Sequence, residues 1–247
     1  MPDILCPIDA PPDRVQQVYH RLLEAISDGT MPAGMRLTQE DLAARLGVSR
    51  QPVLQALRQL KAEGWVQDAP GQHGHRGRGV VVAELDATAI GHVYAIRGAL
   101  DELAAALAAE RRVVMDSALI ARGRAASDSG DVIALMDADL AFHRALYQAS
   151  GNPLIEASAM LHWAHIRRAM AEVLRRVPQR VAVWDEHEAM AAAVAAGDVV
   201  RAKQLVHAHA LHARTQLVRH LSGTCEMLAP GAQPTPPPSP HSEGPDA

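Results

Sequence analysis

Asp139 and His143 stand four residues apart in DADLAFHRALYQAS, so both project from one face of a helix. Leu135, Met136, Phe142 and Leu146 flank that face, which sets a carboxylate and an imidazole beside an apolar stripe. Such a pair supplies half of a metal site. A second half is offered near the other end of the chain. His187 lies ten residues before Gly197, and His209 eleven after Asp198. If Gly197-Asp198 turns a helical hairpin, both imidazoles sit about 15 Å from the turn, level with each other. Ala202, Leu205, Val206, His209, Ala213 and Leu217 follow one stripe, so His209 faces inward while His207 points elsewhere. His212 is close enough in angle to support or replace His209. Spacing alone leaves plainer readings open. An inward histidine is more often a hydrogen-bonded core group, an Asp/His pair at this spacing also forms on helix surfaces, and 13 histidines make chance pairings easy.

A different chemistry, phosphate recognition, is carried by the cations between Arg45 and Lys61. Arg45, Arg50, Arg58 and Lys61 have no carboxylate among them, a local sum of +4 in a chain of net charge −4. They lie in DLAARLGVSRQPVLQALRQLKAEG, Asp41 to Gly64, which reads as a helix-turn-helix. Leu42, Ala43 and Leu46 give the first helix an apolar face, and Gly47 ends it. Val48 plugs the angle, Ser49 is placed to cap the second helix, and Pro52 sits in its first turn, where a missing N–H costs nothing. Val53, Leu57 and Leu60 form the buried stripe, leaving Arg50, Gln51, Gln55, Arg58 and Gln59 outside. DNA binding is the reading that turn, cap and charge share; a protein-interaction module is the alternative. Single-stranded RNA fits less well, because aromatic residues make up only 3% of the chain and base stacking needs them.

The elements that must position these groups are mainly helical. Val15, Val18, Leu22 and Ile26 mark a leading helix over Arg14 to Ile26. Trp65-Val66 and Gly79-Val80-Val81-Val82 read as two short strands around GQHGHRGRG, a basic loop of a length that suits a wing. Arg76, Arg78, His73 and His75 in that loop can reach a minor groove or a phosphate. After Val82 the chain reads as about six helices: Asp86 to Arg111, Met115 to Ser129, Val132 to Ser150, Pro153 to Val177, Pro178 to Ala196, and Asp198 to Leu221. Short joints make them an antiparallel bundle. The expected organisation is a winged helix-turn-helix over 10–83, a helical ligand or metal domain over 86–222, and a disordered Pro-rich tail over 228–247.

Length and composition narrow the classes. With 247 residues and 48% hydrophobic content the chain can bury two cores. No run approaches the roughly 18 apolar residues of a membrane span, and MPDILCPIDAPPD lacks the pattern of a secretory signal. Cys6 and Cys225, near opposite ends, fit a reducing cytoplasm better than a disulfide framework.

PAGMRLTQEDLAARLGVSRQPVLQALRQLKAEGWV and the Gly-rich wing resemble the DNA-binding domain of the GntR family of bacterial regulators. IRGALDELAAALAA, DLAFHRALYQASGNPLI and EHEAMAAAVAAGDVVRAKQLVHAHALHA are similar to the FadR-type C-terminal ligand domain, the FCD domain, of that family. The resemblance implies that Arg50, with His73 and Gly74 of the wing, lies at the DNA, and Arg45, Ser49, Gln51, Gln55 and Arg76 complete the expected DNA-binding set. It implies a divalent metal, Zn, Ni or Mn, on Asp139, His143, His187 and His209. It also implies that Arg97 faces a cavity for a small organic acid, whose carboxylate a guanidinium grips in two places. A repressing homodimer on a palindromic operator is the expectation that follows. There is one departure: Val53-Leu54-Gln55 stands where the family usually has VRE or LRE, so Leu54 replaces a commonly basic contact. A helical metalloenzyme and a regulator with a purely structural metal are the alternatives, although no separate general base accompanies the three imidazoles.

Overall fold

The computed structural model describes residues 13–70, 79–175 and 182–222. The chain begins with α1 (Arg14–Ser27), started by Asp13, whose Oδ1 accepts from the Val15 and Gln16 amides. Three short strands follow or interleave, β1 (Arg36–Leu37), β2 (Val66–Asp68) and β3 (Val80–Val82), in the antiparallel order β1-β3-β2. Between them lie α2 (Gln39–Leu46) and α3 (Arg50–Ala62). Gly47 closes α2 at φ 63°, the left-handed conformation that glycine adopts without strain. Leu22, Ile26, Val53, Ala56 and Leu60 are buried together beneath the sheet, and Val48 is half-buried against them.

Two expectations for this head need correction. Ser49 occupies the capping position of α3, but its side chain makes no capping hydrogen bond. The third strand, β1, was not anticipated: two residues are too short to display the alternation that marks a strand. The wing residues His73, Gly74, His75, Arg76 and Arg78 fall outside the described residues, as does the Pro-rich tail.

The remaining helices are α4 (Ala87–Glu110), α5 (Ala118–Ser129), α6 (Val132–Ala149), α7 (Pro153–Met160), α8 (Trp163–Leu174), α9 (Ala182–Ala196) and α10 (Val199–Leu221). Asp86, Asp131, Asn152 and Asp198 start α4, α6, α7 and α10 by accepting backbone amides. The single helix expected from Pro153 to Val177 is instead two. Buried Ile155, Ala159, Trp163 and Ile166 continue at helical spacing across the joint, and no glycine or proline interrupts them. Packing makes the break: Leu161 is left exposed while Trp163 is drawn under α4, and α8 turns to lie against α1 of the head. The start of the helix expected from Pro178 lies outside the described residues.

One large core joins α4, α5, α6, α7, α9 and α10 through residues such as Ala104, Phe142, Leu146, Trp184 and Val206. A smaller one gathers Ile90, Tyr94, Trp163, Ile166 and Leu217 on the side facing the head. Gly123 is an exacting position in α5. A β-carbon there would fall 2.2 Å from atoms of the Trp184 ring, so only glycine lets α5 lie against this indole.

Candidate metal centre and nucleic-acid interface

Asp139 and His143 share the inner face of α6, one turn apart, while α9 and α10 bring His187 and His209 level across the Gly197-Asp198 turn. All four are buried, and one ligating atom from each lies within 4.8 Å of the others. The Asp139 Oδ1 atom is 3.6 Å from His187 Nε2 and 3.9 Å from His143 Nε2. The ring centroids of His187 and His209 are 4.8 Å apart. Ligands bound tetrahedrally at about 2.1 Å sit about 3.4 Å from one another, so the Asp139 pairs are close to that separation and the widest pair must draw in by up to about 1.4 Å.

Hydrogen bonding aims the rings. His209 Nδ1 lies 2.8 Å from Glu186 Oε2, so the carboxylate accepts a hydrogen bond from Nδ1–H and the Nε2 lone pair is left for the cluster. His212 reaches the other Glu186 oxygen at 3.5 Å, outside the four-residue cluster, and thus supports the orienting carboxylate. His143 turns Nδ1 toward Asp101 at 3.5 Å, and Asp101 itself accepts a 2.5 Å bond from the Tyr147 hydroxyl. The His187 ring is fixed by packing: it stacks on Phe142 at 4.2 Å and meets the edge of Trp184 at 4.7 Å.

Electrostatics keeps two of the imidazoles neutral. Burial pushes His143 well below the ordinary imidazole range, and the Arg97 charge adds to it; burial and His209 do the same for His187. A neutral imidazole carries one N–H and one nitrogen lone pair, and that lone pair can bind a cation. Both nitrogens of His143 and of His187, together with Asp139 Oδ2, are buried without hydrogen-bond partners. Unsatisfied buried polar atoms of this kind are costly unless something fills the space between them, and a divalent cation matches the donor set.

Arg97 reaches the same place from α4. Its Nη2 is 3.6 Å from Asp139 Oδ2, its Nε 3.3 Å from Asp101 Oδ2, and Tyr94 and Trp163 cover its faces at 5.4 and 5.3 Å. Neither ion pair has hydrogen-bond geometry, which leaves donors on a buried guanidinium available. Glu186, Asp101 and Tyr147 were not singled out from the sequence. Arg97 and Asp101 at i, i+4 were visible as a pair, but the azimuth of α4 that turns them inward was not.

On the head, Arg45, Ser49, Arg50, Gln51 and Gln55 are all exposed, near the start of α3. The +4 excess counted along the chain is smaller in space. Arg45 pairs with Asp41 at 3.0 Å, Arg50 with Glu40 at 3.2 Å and Lys61 with Asp68 at 2.6 Å. These pairs are solvent-exposed or nearly so, each worth about 0–1 kcal/mol, so a phosphate can displace the carboxylates.

Residues 14–73 match the bacterial regulatory proteins of the gntR family, and residues 92–212 match the FCD domain. The chain belongs to the gntR family. A gntR-type head in front of an FCD body makes it a DNA-binding transcriptional regulator. Similar proteins include an uncharacterized HTH-type transcriptional regulator in an unstable DNA locus of Streptomyces ambofaciens, 26% identical over 90% of this chain and 92% of that protein. The regulator McbR of Escherichia coli is 29% identical over 56% of this chain and 62% of its own length. In fold the chain is similar to the E. coli McbR/YncC structure, with TM-score 0.65 at 21% identity over 85% of this chain and 98% of that one. A putative GntR regulator from Rhodococcus sp. RHA1 gives 0.64 at 24% identity over 83% and 97%. The named relatives are transcriptional regulators, in line with the family match that makes this chain a regulator and not an enzyme. Among the described residues no helix is long and apolar enough to cross a membrane.

Proposed function

We propose that this gntR regulator is a cytoplasmic repressor that binds a palindromic operator as a homodimer and is released by a small organic acid bound beside a divalent metal. Asp139, His143, His187 and His209 would hold the ion, which would supply a Lewis-acidic attachment point for a carboxylate. The observation that carries the reading is the convergence of four buried ligating side chains, with both nitrogens of His143 and of His187 and Asp139 Oδ2 lacking hydrogen-bond partners. Glu186 orients His209, and Asp101, held by the Tyr147 hydroxyl, faces His143 Nδ1 at 3.5 Å.

Charge supports an acidic effector. Arg97 contributes one formal positive charge against the carboxylates of Asp101 and Asp139 and, behind His209, of Glu186, a formal sum of −2. A dication held there would cancel this negative charge, so that an incoming carboxylate would meet no net repulsion. Arg97, free of good hydrogen bonds to either aspartate, supplies N–H donors to that carboxylate.

A path to the head is supported by α8. Trp163 covers Arg97 at one end of that helix. Two residues on, His165 stacks on Trp65 of the head at 4.1 Å and 16°. Further along, Arg168 donates to the Ala83 carbonyl and Arg175 to those of Asp28 and Gly29. A ligand that displaces Trp163 shifts these contacts and changes the relative populations of two head arrangements. The near-complete burial of the four donors also favours a second reading, in which the ion is structural only.

A fluorescence-anisotropy titration of metal-loaded protein on operator DNA separates the two. A monocarboxylate from a hydroxy-acid or keto-acid panel should weaken DNA binding at least about tenfold, a coupling of about 1.4 kcal/mol, and Arg97→Lys should abolish the response. No acid altering DNA affinity, with chelation still lowering the melting temperature, would leave the structural ion.

A further inference from the structure

One apolar side chain interrupts the charged and amide-bearing outer face of α3. Arg50, Gln51, Gln55, Arg58 and Lys61 are exposed there, on the side away from buried Val53, Ala56, Leu57 and Leu60. Leu54 lies among them. It stands four residues after Arg50 and four before Arg58, so helical spacing sets the three in one row, with Gln51 beside it one turn earlier. Leu54 is half-buried, but it does not complete the core. Leu46, Val48 and Val80 pack against the buried cluster of the head from its margin, and Leu54 is not one of them among the described residues. A half-exposed leucine needs no explanation on most helices. Here it sits between two cations on the helix that follows the turn, on a surface otherwise suited to phosphates and base edges.

We infer, on the reading that α3 is the helix that enters the major groove, that Leu54 packs on the methyl group of a thymine and so fixes one base of the operator. Leucine offers no donor or acceptor, so pressing it on polar base-edge atoms strips them of water without replacement. The C5 methyl of thymine is the apolar group that the major groove displays, and it is the edge that suits this side chain. The flanking charges supply the anchor. Arg50 and Arg58, one turn to either side, pair with phosphates or with guanine and hold the leucine against the bases. The ion pair between Arg50 and Glu40 is 3.2 Å long and exposed, so DNA can replace it. A protein partner would need a wider apolar patch, whereas the exposed neighbours of Leu54 on α3 are two arginines and two glutamines. Successive turns of a helix in the groove meet bases about one to two pairs apart, which puts the thymine within about two base pairs of the base that Arg50 meets.

The probe is a DNA duplex that the purified full chain selects from a random-sequence pool. Each thymine of its bound motif is replaced in turn by uracil, which lacks only the methyl group, and binding is read by fluorescence anisotropy. At one position the parent should lose about fourfold in affinity, the worth of one buried methyl group. Leu54→Ala, which should keep the parent's melting temperature, should bind the thymine and uracil duplexes within about 1.5-fold of each other. Leu54→Arg, put through the selection afresh, should exchange that thymine for guanine. Uracil tolerated by the parent at every position, or uracil weakening parent and Leu54→Ala alike, overturns the thymine contact; a loss of binding in Arg50→Ala would still keep α3 in the groove. Unchanged affinity in both Arg50→Ala and Arg58→Ala takes α3 out of the groove, and the thymine contact with it. A parent that enriches no sequence from the pool reads no base at all, which also overturns the contact.

Discussion

At the residue scale, the centre is built from neutral imidazoles held among formal charges. His143 and His187 have folded values pushed below the unfolded imidazole value of about 6.5, chiefly by burial. The unfolded chain therefore binds more protons than the folded one just below pH 6.5. The stability that depends on neutral rings is complete above that value and is lost as pH falls toward the folded values. We expect the melting temperature of metal-stripped protein to fall steadily between pH 7 and pH 5, at up to about 1.4 kcal/mol per pH unit for each proton taken up. His187→Gln should flatten the profile. Identical slopes for parent and variant would contradict a buried neutral His187. The four donors were legible because helical spacing fixes which residues share a face and the hairpin fixes their level. Glu186 was not legible, since its role depends on how α9 and α10 are rotated against each other.

At the scale of elements, α8 is the piece the sequence concealed. The unbroken apolar spacing from Ile155 to Ile166 predicts one long helix, and only the competition between Trp163 and Leu161 for the space under α4 divides it. The division matters because it lets one short helix touch both Arg97 and the head. His165→Ala removes the stack on Trp65 while leaving every candidate ligand in place. Metal content and effector-free operator affinity should remain within about twofold of the parent, and the response to the acid should shrink by at least about fivefold, roughly 1 kcal/mol of coupling. An undiminished response in that variant would take α8 out of the path. Ser49 teaches the converse lesson. Its type marks the start of α3 correctly even though its hydroxyl makes no cap, because backbone conformation and Pro52 already set that start.

For the whole molecule, head and body were legible as separate textures: a glycine-punctuated helix-turn-helix with short strands, then Ala- and Leu-rich helices. Their mutual placement was not, because it depends on contacts such as Trp65 with His165 and Arg175 with Gly29, which join residues about 100 or more positions apart. The account of function depends on what lies at the centre of the body. Elemental analysis of purified protein, dialysed against metal-free buffer, tests that most directly. We predict one divalent ion per chain in the parent and in His212→Ala, and loss of that ion in His187→Ala and His209→Ala. A parent without stoichiometric metal after reloading with zinc, nickel or manganese, or full occupancy in His187→Ala, would contradict the account.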